Sequence, residues 1–316
     1  MDYQWYPGHM TKARRMMQEN IKLVDLVIEI IDARIPYSSR NPDIDSLAAG
    51  KSRIIVMGKA DLADPAITRQ FQKEFESKGW YVVAADSRTK KAGADVKGIV
   101  EKACREKIER DRKRGILNRP LRAMVCGIPN VGKSTFINSL AGRASTKTGN
   151  KPGVTRGKQW ISVKLNLSGQ KGQGMQRSLD LLDTPGILWP KFDDRAVGVK
   201  LALAGSIREE ILDEDELSLE LLQYLIRMYP EELASKYSCH DLPWIPQEES
   251  TLQDPETQVD SVILHETLQQ IAKNRNLLSK GEEPDLKRAS HMLLDDFKNG
   301  RIGRITLDRL EDDSTT

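Results

Sequence analysis

The chain has 316 residues, 39% hydrophobic and 30% charged, with a formal net charge of +3. That length suits about two domains, and the composition is that of an ordinary soluble globular protein. It excludes a polycation, a membrane-spanning chain and, from the N-terminal residues Met1 to His9, a secretory signal peptide. Cys104, Cys126 and Cys239 lack metal-site spacing and read as reduced thiols in a cytosolic protein, and the four unclustered histidines argue against zinc.

In chain order, residues 11–23 read as a helix leading into an apolar strand, Val24 to Asp32. Arg53 to Met57 is a second buried strand. Residues 64–78 are helical, with Ile67, Phe71 and Phe75 on one face, and Trp80 to Ala85 is a third strand. One long charged helix is expected over 95–114, then strand Leu121 to Cys126 and a helix from Lys133 to Leu140. Trp160 to Leu165 and Ser178 to Leu182 are two more strands, joined by the glycine-rich stretch 168–174. Strand and helix alternate and the strands are unbroken apolar runs, so the expected fold is α/β, a mostly parallel sheet with helices on both faces. Beyond Pro190 the strand signals fade and helices are expected near 194–206, 215–229, 258–273 and 285–298, with Pro243, Pro246 and Pro255 in a loop. The expected domains are 1–205 and a small all-α domain, 206–316.

Basic residues gather in three places: Lys12 to Arg15, Lys102 to Arg114, and the tail with Lys298, Arg301, Arg304 and Arg309. Each alone reads as a solvated helix face. Together, without a matching acidic run, they suggest an RNA-phosphate surface.

Gly127-Ile128-Pro129-Asn130-Val131-Gly132-Lys133-Ser134 fits the phosphate-loop pattern G-x-x-x-x-G-K-[ST], between a strand and a helix. Successive N–H groups from Asn130 to Thr135 would ring the phosphates, Lys133 would meet the β- and γ-phosphates, and Ser134 would hold magnesium. Asp183-Thr184-Pro185-Gly186 ends an apolar strand, where Asp183 would orient magnesium through water and Gly186 would offer its N–H to the γ-phosphate. Thr155, in Pro152-Gly153-Val154-Thr155, is the candidate for a second magnesium-binding hydroxyl. The best guanine-reading candidate, Lys59-Ala60-Asp61, precedes both phosphate motifs instead of following them. That order implies a circularly permuted GTPase.

With these motifs the chain resembles the YlqF/RbgA family of circularly permuted GTPases, which act in assembly of the large ribosomal subunit. Trp5-Tyr6-Pro7-Gly8-His9-Met10, Asp32-Ala33-Arg34-Ile35-Pro36, Gly127 to Ser134, Pro152 to Thr155 and Asp183 to Lys191 stand in the family's order. Gly303 to Leu307 resembles the family's C-terminal end. The resemblance implies GTP or GDP and Mg2+ at the site, His9 as the residue that positions the attacking water, and a K+ ion with Asn130 as its side-chain ligand. Ile187, where many GTPases carry glutamine, cannot polarise water.

The family's base motif is Asn-Lys-x-Asp, and here Gly58 replaces the asparagine. Asp61 still accepts from guanine N1 and N2 and Lys59 still covers the base, so weaker affinity with retained GTP preference is expected. Ala85-Asp86-Ser87 occupies the second base-contacting loop. The implied function is a GTPase, slow alone and stimulated by the ribosome, whose nucleotide state is coupled through residues 183–205 to the helical domain. The runner-up is an rRNA-binding scaffold with little turnover; Asp61 disfavours an ATPase. The expected partners are rRNA and proteins of the large-subunit precursor, with no membrane. A monomer in a bacterial cytoplasm is expected, since an arginine-rich leader is lacking.

Overall fold

The computed structural model describes residues 15–86, 89–116, 118–142, 159–167, 175–184, 186, 195–207, 213–239 and 259–310. The chain divides into two compact units, Met1–Asp194 with Asp308–Thr316, and Arg195–Leu307.

The first unit is built on β1 (Leu26–Asp32), β2 (Ser52–Gly58), β3 (Tyr81–Ala84), β4 (Leu121–Cys126), β5 (Gln159–Leu167) and β6 (Met175–Asp183). Their order is β3-β2-β1-β4-β6-β5, and all neighbours are parallel except β5, which runs antiparallel to β6. Every residue of β1 is buried, as expected when helices cover both faces of a parallel sheet. The helices are α1 (residues 15–21), α2 (Asp43–Leu47), α3 (Pro65–Ser77), α4 (Lys90–Ala103), α5 (Arg105–Lys113) and α6 (Lys133–Ala141).

Side chains alternate along a strand, so Val27, Glu29 and Ile31 share one face of β1. Val27 packs with Met17 and Ile21 of α1, Ile44 of α2 and Met124 of β4. Ile31 packs with Phe71 and Phe75 of α3 and with Ile55 and Met57 of β2. Between these apolar clusters lies Glu29, fully buried and paired with Arg53, which also binds Asp45. The guanidinium of Arg53 lies 4.4 Å from the centroid of the Trp80 ring and that of Arg40 lies 4.5 Å from it. Sequence patterning does not show this charged cluster, because glutamate in an apolar run reads as a defect until its partners are in place.

Two differences from the expected elements have local causes. The single helix expected over 95–114 begins at Lys90 and breaks at Cys104, where φ −101° and ψ 11° leave the helical region. Gly93 lets α4 close onto α6: a Cβ there would sit 3.1 Å from the Ser139 carbonyl oxygen. In the second unit, the helix expected over 215–229 is followed at once by another, because Pro230 at a first helical position starts a new helix instead of continuing the old one.

That second unit comprises α7 (Arg195–Leu203), α8 (Glu214–Met228), α9 (Pro230–Tyr237), α10 (Ser261–Asn274) and α11 (Leu286–Lys298). Asp213, Asp260 and Asp285 cap α8, α10 and α11 through their side chains. Val199 and Leu201 to Leu203 of α7 are buried, and this compact unit begins at Arg195, eleven residues ahead of the expected start at residue 206. The Tyr237 hydroxyl donates to Asp296, and the Tyr229 hydroxyl joins α8 to the 306 segment, donating to the Thr306 carbonyl and accepting from its N–H, each at 3.0 Å.

The chain then returns to the first unit at Asp308. The carboxylate of Asp308, fully buried, accepts from the N–H groups of Tyr37 (2.8 Å) and Ser38 (2.9 Å) and from the Ser38 hydroxyl (2.7 Å). Removing it strands buried donors, each worth about 1–3 kcal/mol when unsatisfied. Asp308→Ala is expected to lower the urea midpoint of the first unit by an amount matching at least one such donor, read from tryptophan fluorescence, while Asp308→Asn loses less because its amide oxygen still accepts.

Candidate functional site

In a doubly wound sheet, ligands bind beyond the carboxyl ends of the strands, at the point where the strand order reverses direction. Here that point lies between β1 and β4: β2 and β3 extend one way, β6 and β5 the other. The residues singled out from the sequence follow these strand ends. Lys59 and Asp61 come after β2, Ala85 and Asp86 after β3, and Gly127 to Thr135 after β4. Asp183 ends β6 and Gly186 follows it.

The phosphate loop is shaped by glycine where nothing else fits. Gly127 has φ 148°, and a Cβ there would overlap the Ile30 carbonyl oxygen of β1. Gly132 has φ 101° and Asn130 φ 56°, both in the left-handed region. Gly132 is also the N-cap of α6 and supplies no capping side chain, so this helix start is built to receive an anion on its N–H groups.

Lys133, the first residue of α6, is 8% exposed and donates to the loop's own carbonyls, Gly127 O at 3.0 Å and Ile128 O at 2.7 Å. Burial pushes its ammonium down to about 8, against the opposing pull of Asp183. Asp183 is itself buried, in register with Val125 of β4. Thr184 braces the same junction by donating to the Val125 carbonyl at 2.8 Å. Gly186 lies directly over the loop: a Cβ there would come within 2.7 Å of Pro129 Cα and 2.9 Å of Lys133 Nζ. Asp183, Gly186 and the lysine of the phosphate loop are thus brought together.

On the other side of the switch point, Lys59 has φ 55° and places its ammonium 2.8 Å from the Asp32 carboxylate. Asp32 is fully buried and also accepts from Arg34, through Nε at 3.0 Å and Nη2 at 2.8 Å. Burial alone would raise the Asp32 carboxyl, but Arg34 and Lys59 outweigh it and hold it well below the usual carboxylate range. The Lys59 ammonium shifts down, chiefly through burial. No role was expected for Asp32 from the sequence; the available signal was an aspartate ending an apolar strand, the same pattern that marks Asp183.

Gly58 packs closely beside the loop yet tolerates a Cβ. A Cβ there would meet the Ile31 and Val131 carbonyl oxygens at 3.4 Å, ordinary contact, and its backbone needs no positive φ. Ala85 spends its N–H on the Met57 carbonyl at 3.0 Å, so it is not free to read a base. The Asp86 carbonyl accepts from Thr89. His9, Ser87 and Thr155 lie outside the described residues.

The buried amine makes anion binding pH-dependent. Below pH 8 Lys133 is charged with or without a ligand; above it the free site has lost a proton that a phosphate pulls back. Affinity for a fluorescent GDP analogue is therefore expected to be level below pH 7.5 and to fall roughly fivefold by pH 8.7, if the proton is fully restored on binding. Lys133→Met should bind weakly and without this fall; equal pH dependence in the two proteins, by titration, would exclude Lys133 as its source.

A family model described as 50S ribosome-binding GTPase matches residues 122–232. Ribosome biogenesis GTPase A of Priestia megaterium is 38% identical over 98% of this chain and 97% of its own length. Mitochondrial ribosome-associated GTPase 1 of Mus musculus is 32% identical over 96% of this chain and 90% of its own. In fold, the chain is similar to GNP-bound YlqF of T. maritima, with a TM-score of 0.57 at 24% identity over 94% of this chain and 98% of that one. A likeness running almost end to end at this identity means that the chain belongs to the ribosome biogenesis GTPase A (YlqF/RbgA) family of GTP-hydrolysing enzymes.

Proposed function

We propose that this protein binds and hydrolyses GTP on a precursor of the large ribosomal subunit and uses the nucleotide state to control its helical unit. The observation that carries this reading is the convergence of the phosphate loop, Asp183, Gly186 and Lys59 at the carboxyl ends of the parallel strands, on both sides of the switch point.

In this reading the N–H groups from Asn130 to Thr135 hold the α- and β-phosphates, and Lys133 leaves the loop carbonyls for the β- and γ-phosphates. Gly186 donates its N–H to the γ-phosphate. Asp61 accepts from guanine N1 and N2, while Lys59, anchored on Asp32, lays its stem along the base. The loop from Ala85 through Asp86 to Ser87 closes the base pocket. His9 orients the attacking water, a task Ile187 cannot perform.

The donor chemistry suits Mg2+: Asp183 is buried within electrostatic reach of Lys133, and the Ser134 hydroxyl follows that lysine at the start of α6. Such a sparse oxygen set matches an ion that keeps waters and takes the rest of its ligands from phosphate. Ser134 and Thr155 would bind it by hydroxyl and Asp183 through water; when bound it neutralises charge on the β- and γ-phosphates. Asn130 would hold K+ as a further positive charge beside them.

Eight residues separate Gly186 from α7. A γ-phosphate that fixes Gly186 therefore acts on a short lead into the helical unit, favouring one arrangement of that lead over another. The described residues contain no helix long and apolar enough to cross a membrane. The monomeric state and the cytoplasmic setting remain part of this proposal.

Purified protein in potassium buffer is expected to hydrolyse GTP slowly, ATP not at all, and GTP much faster with large ribosomal subunits. Subunit binding without stimulation would instead support a scaffold with little turnover, the reading that Gly58 and Ile187 favour. The tolerance for a Cβ at Gly58 gives a second expectation. Gly58→Asn adds a hydrogen bond of about 0.5–1.5 kcal/mol, so GDP should bind roughly two- to tenfold tighter by calorimetry; unchanged or weaker binding would mean that the missing amide is not what limits affinity.

A further inference from the structure

The opposite pole of the sheet carries a second concavity that the GTPase cycle does not use. It has a volume of about 530 Å³ and opens where the strands begin: Asp25 stands just ahead of β1, Lys51 and Ser52 at the start of β2, and Tyr81 at the start of β3. The end of α4 from Lys102, and residues Arg105 to Lys107 with Arg110 of α5, form its other wall.

Its lining is cationic. Lys51, Arg53, Lys102, Arg105, Lys107 and Arg110 face Asp25 and Glu106 across it. Three of these cations are already matched: Lys107 by Asp25 at 2.9 Å, Arg105 by Glu109 at 3.3 Å, and Arg53 by Glu29 and Asp45. Lys51 donates to a neutral acceptor, the Val24 carbonyl, at 2.8 Å. Lys102 and Arg110 are exposed, and among the described residues their side chains make no ion pair. Unmatched cations gathered in a concavity concentrate positive potential there and draw in an anion.

The cleft also offers ring surface. Tyr81 is 37% exposed, with its hydroxyl donating to the Lys102 carbonyl at 3.4 Å. Cations that track a backbone beside aromatic rings on which bases stack are the elements of single-stranded nucleic-acid binding. The volume lies in the range that holds a small ligand.

We infer that this cleft at the amino ends of β1 to β3 binds a single-stranded RNA segment, with Lys51, Lys102 and Arg110 on its phosphates and Tyr81 against a base. The inference deepens the ribosome-assembly reading and rests on it for the source of the RNA. The seven residues of β2 put about 20 Å between this cleft and the nucleotide site. That exceeds the Debye length of about 8 Å at physiological salt, so charge changes in the cleft leave GTP chemistry alone.

The test compares two double variants of equal charge change in the full-length protein. Lys102→Glu with Arg110→Glu alters the cleft; Arg112→Glu with Lys113→Glu alters neighbouring residues that do not line it. Binding of a fluorescein-labelled uridine 12-mer is followed by anisotropy across a salt series. The cleft variant is expected to lose at least about tenfold in affinity and to show a log–log salt slope shallower by about 1.4, as for two lost phosphate contacts. The control variant should change less than about twofold.

Equal losses in both variants, or none in either, overturn the inference. So does a cleft-dependent loss of polyglutamate binding with RNA binding intact, which would make the occupant an acidic protein segment. Basal GTP hydrolysis is measured alongside and should match wild type in both variants. If subunits fail to stimulate wild-type hydrolysis while cleft-dependent RNA binding holds, the assembly reading fails and the cleft assignment stands; the reverse result separates them the other way.

Discussion

The fold of the first unit turns on one close approach. The backbone leaving β4 passes so near β1 that any side chain at Gly127 would overlap the Ile30 carbonyl oxygen. This contact joins two strands that begin 95 residues apart, Leu26 and Leu121, and it fixes the phosphate loop against the strand that ends in Asp32. A parallel pair needs a crossover between its strands, but nothing requires that crossover to be short. Here it contains the whole β2–β3 half of the sheet. The phosphate half and the base half can therefore exchange their order in the chain, provided that β1 and β4 still meet.

Charge is then placed on both sides of that seam at some cost to the folded state. Lys133 is buried without a direct carboxylate bond and satisfies itself on loop carbonyls. Asp32 is equally buried, but Arg34 and Lys59 compensate it with three side-chain hydrogen bonds. The contrast follows from what each residue is for. Asp32 has its partners within the chain and acts as a fixed post for Lys59. Lys133 has no directly bonded counter-charge, only the longer-range pull of Asp183, and a bound polyphosphate would supply one. Burial without compensation is a cost that ligand binding recovers, and such groups cluster at functional sites for that reason.

Much of this was legible in the sequence because the signals are local. Each expected strand of the first unit is present, and an apolar run bounded by turn residues needs only its own few residues to be recognised. The glycine pattern from Gly127 to Gly132 is readable for the same reason, since tight backbone geometry admits few residue types. What escaped depends on partners distant in the chain. Glu29 looks like an interruption of β1 until Arg53 arrives from β2. Asp308 looks like one acidic residue in a charged tail, yet it anchors Tyr37 and Ser38 some 270 residues earlier. The break at Cys104 falls in a stretch whose charge and helical propensity run on without a glycine or proline to mark it. Of the site itself, motif order revealed the permutation, while the role of Asp32 had to wait for the geometry of Lys59.

The permutation also decides where the chain enters and leaves the nucleotide-binding unit. Its exit follows Gly186, whose backbone lies against Pro129 and Lys133, and its return is secured by Asp308 on the segment that follows β1. Gly186 and Asp308 therefore both lie beyond carboxyl ends of strands, at the pole of the sheet that carries the phosphate loop. The residues between them, Arg195 to Leu307, make up the helical unit. Asp308 is held by three hydrogen bonds and the β1 segment it grips is tied through Ser39 to the Asp32 N–H, so the return junction is a fixed one. At the exit side Gly186 packs on the loop, where in the proposed cycle a γ-phosphate adds a bond that GDP cannot. In the proposed cycle the two nucleotides thus differ at one tether of the helical unit and not at the other. In an unpermuted chain with its ends after β3 and before β4, the switch would instead lead back into the sheet and carry no such attachment.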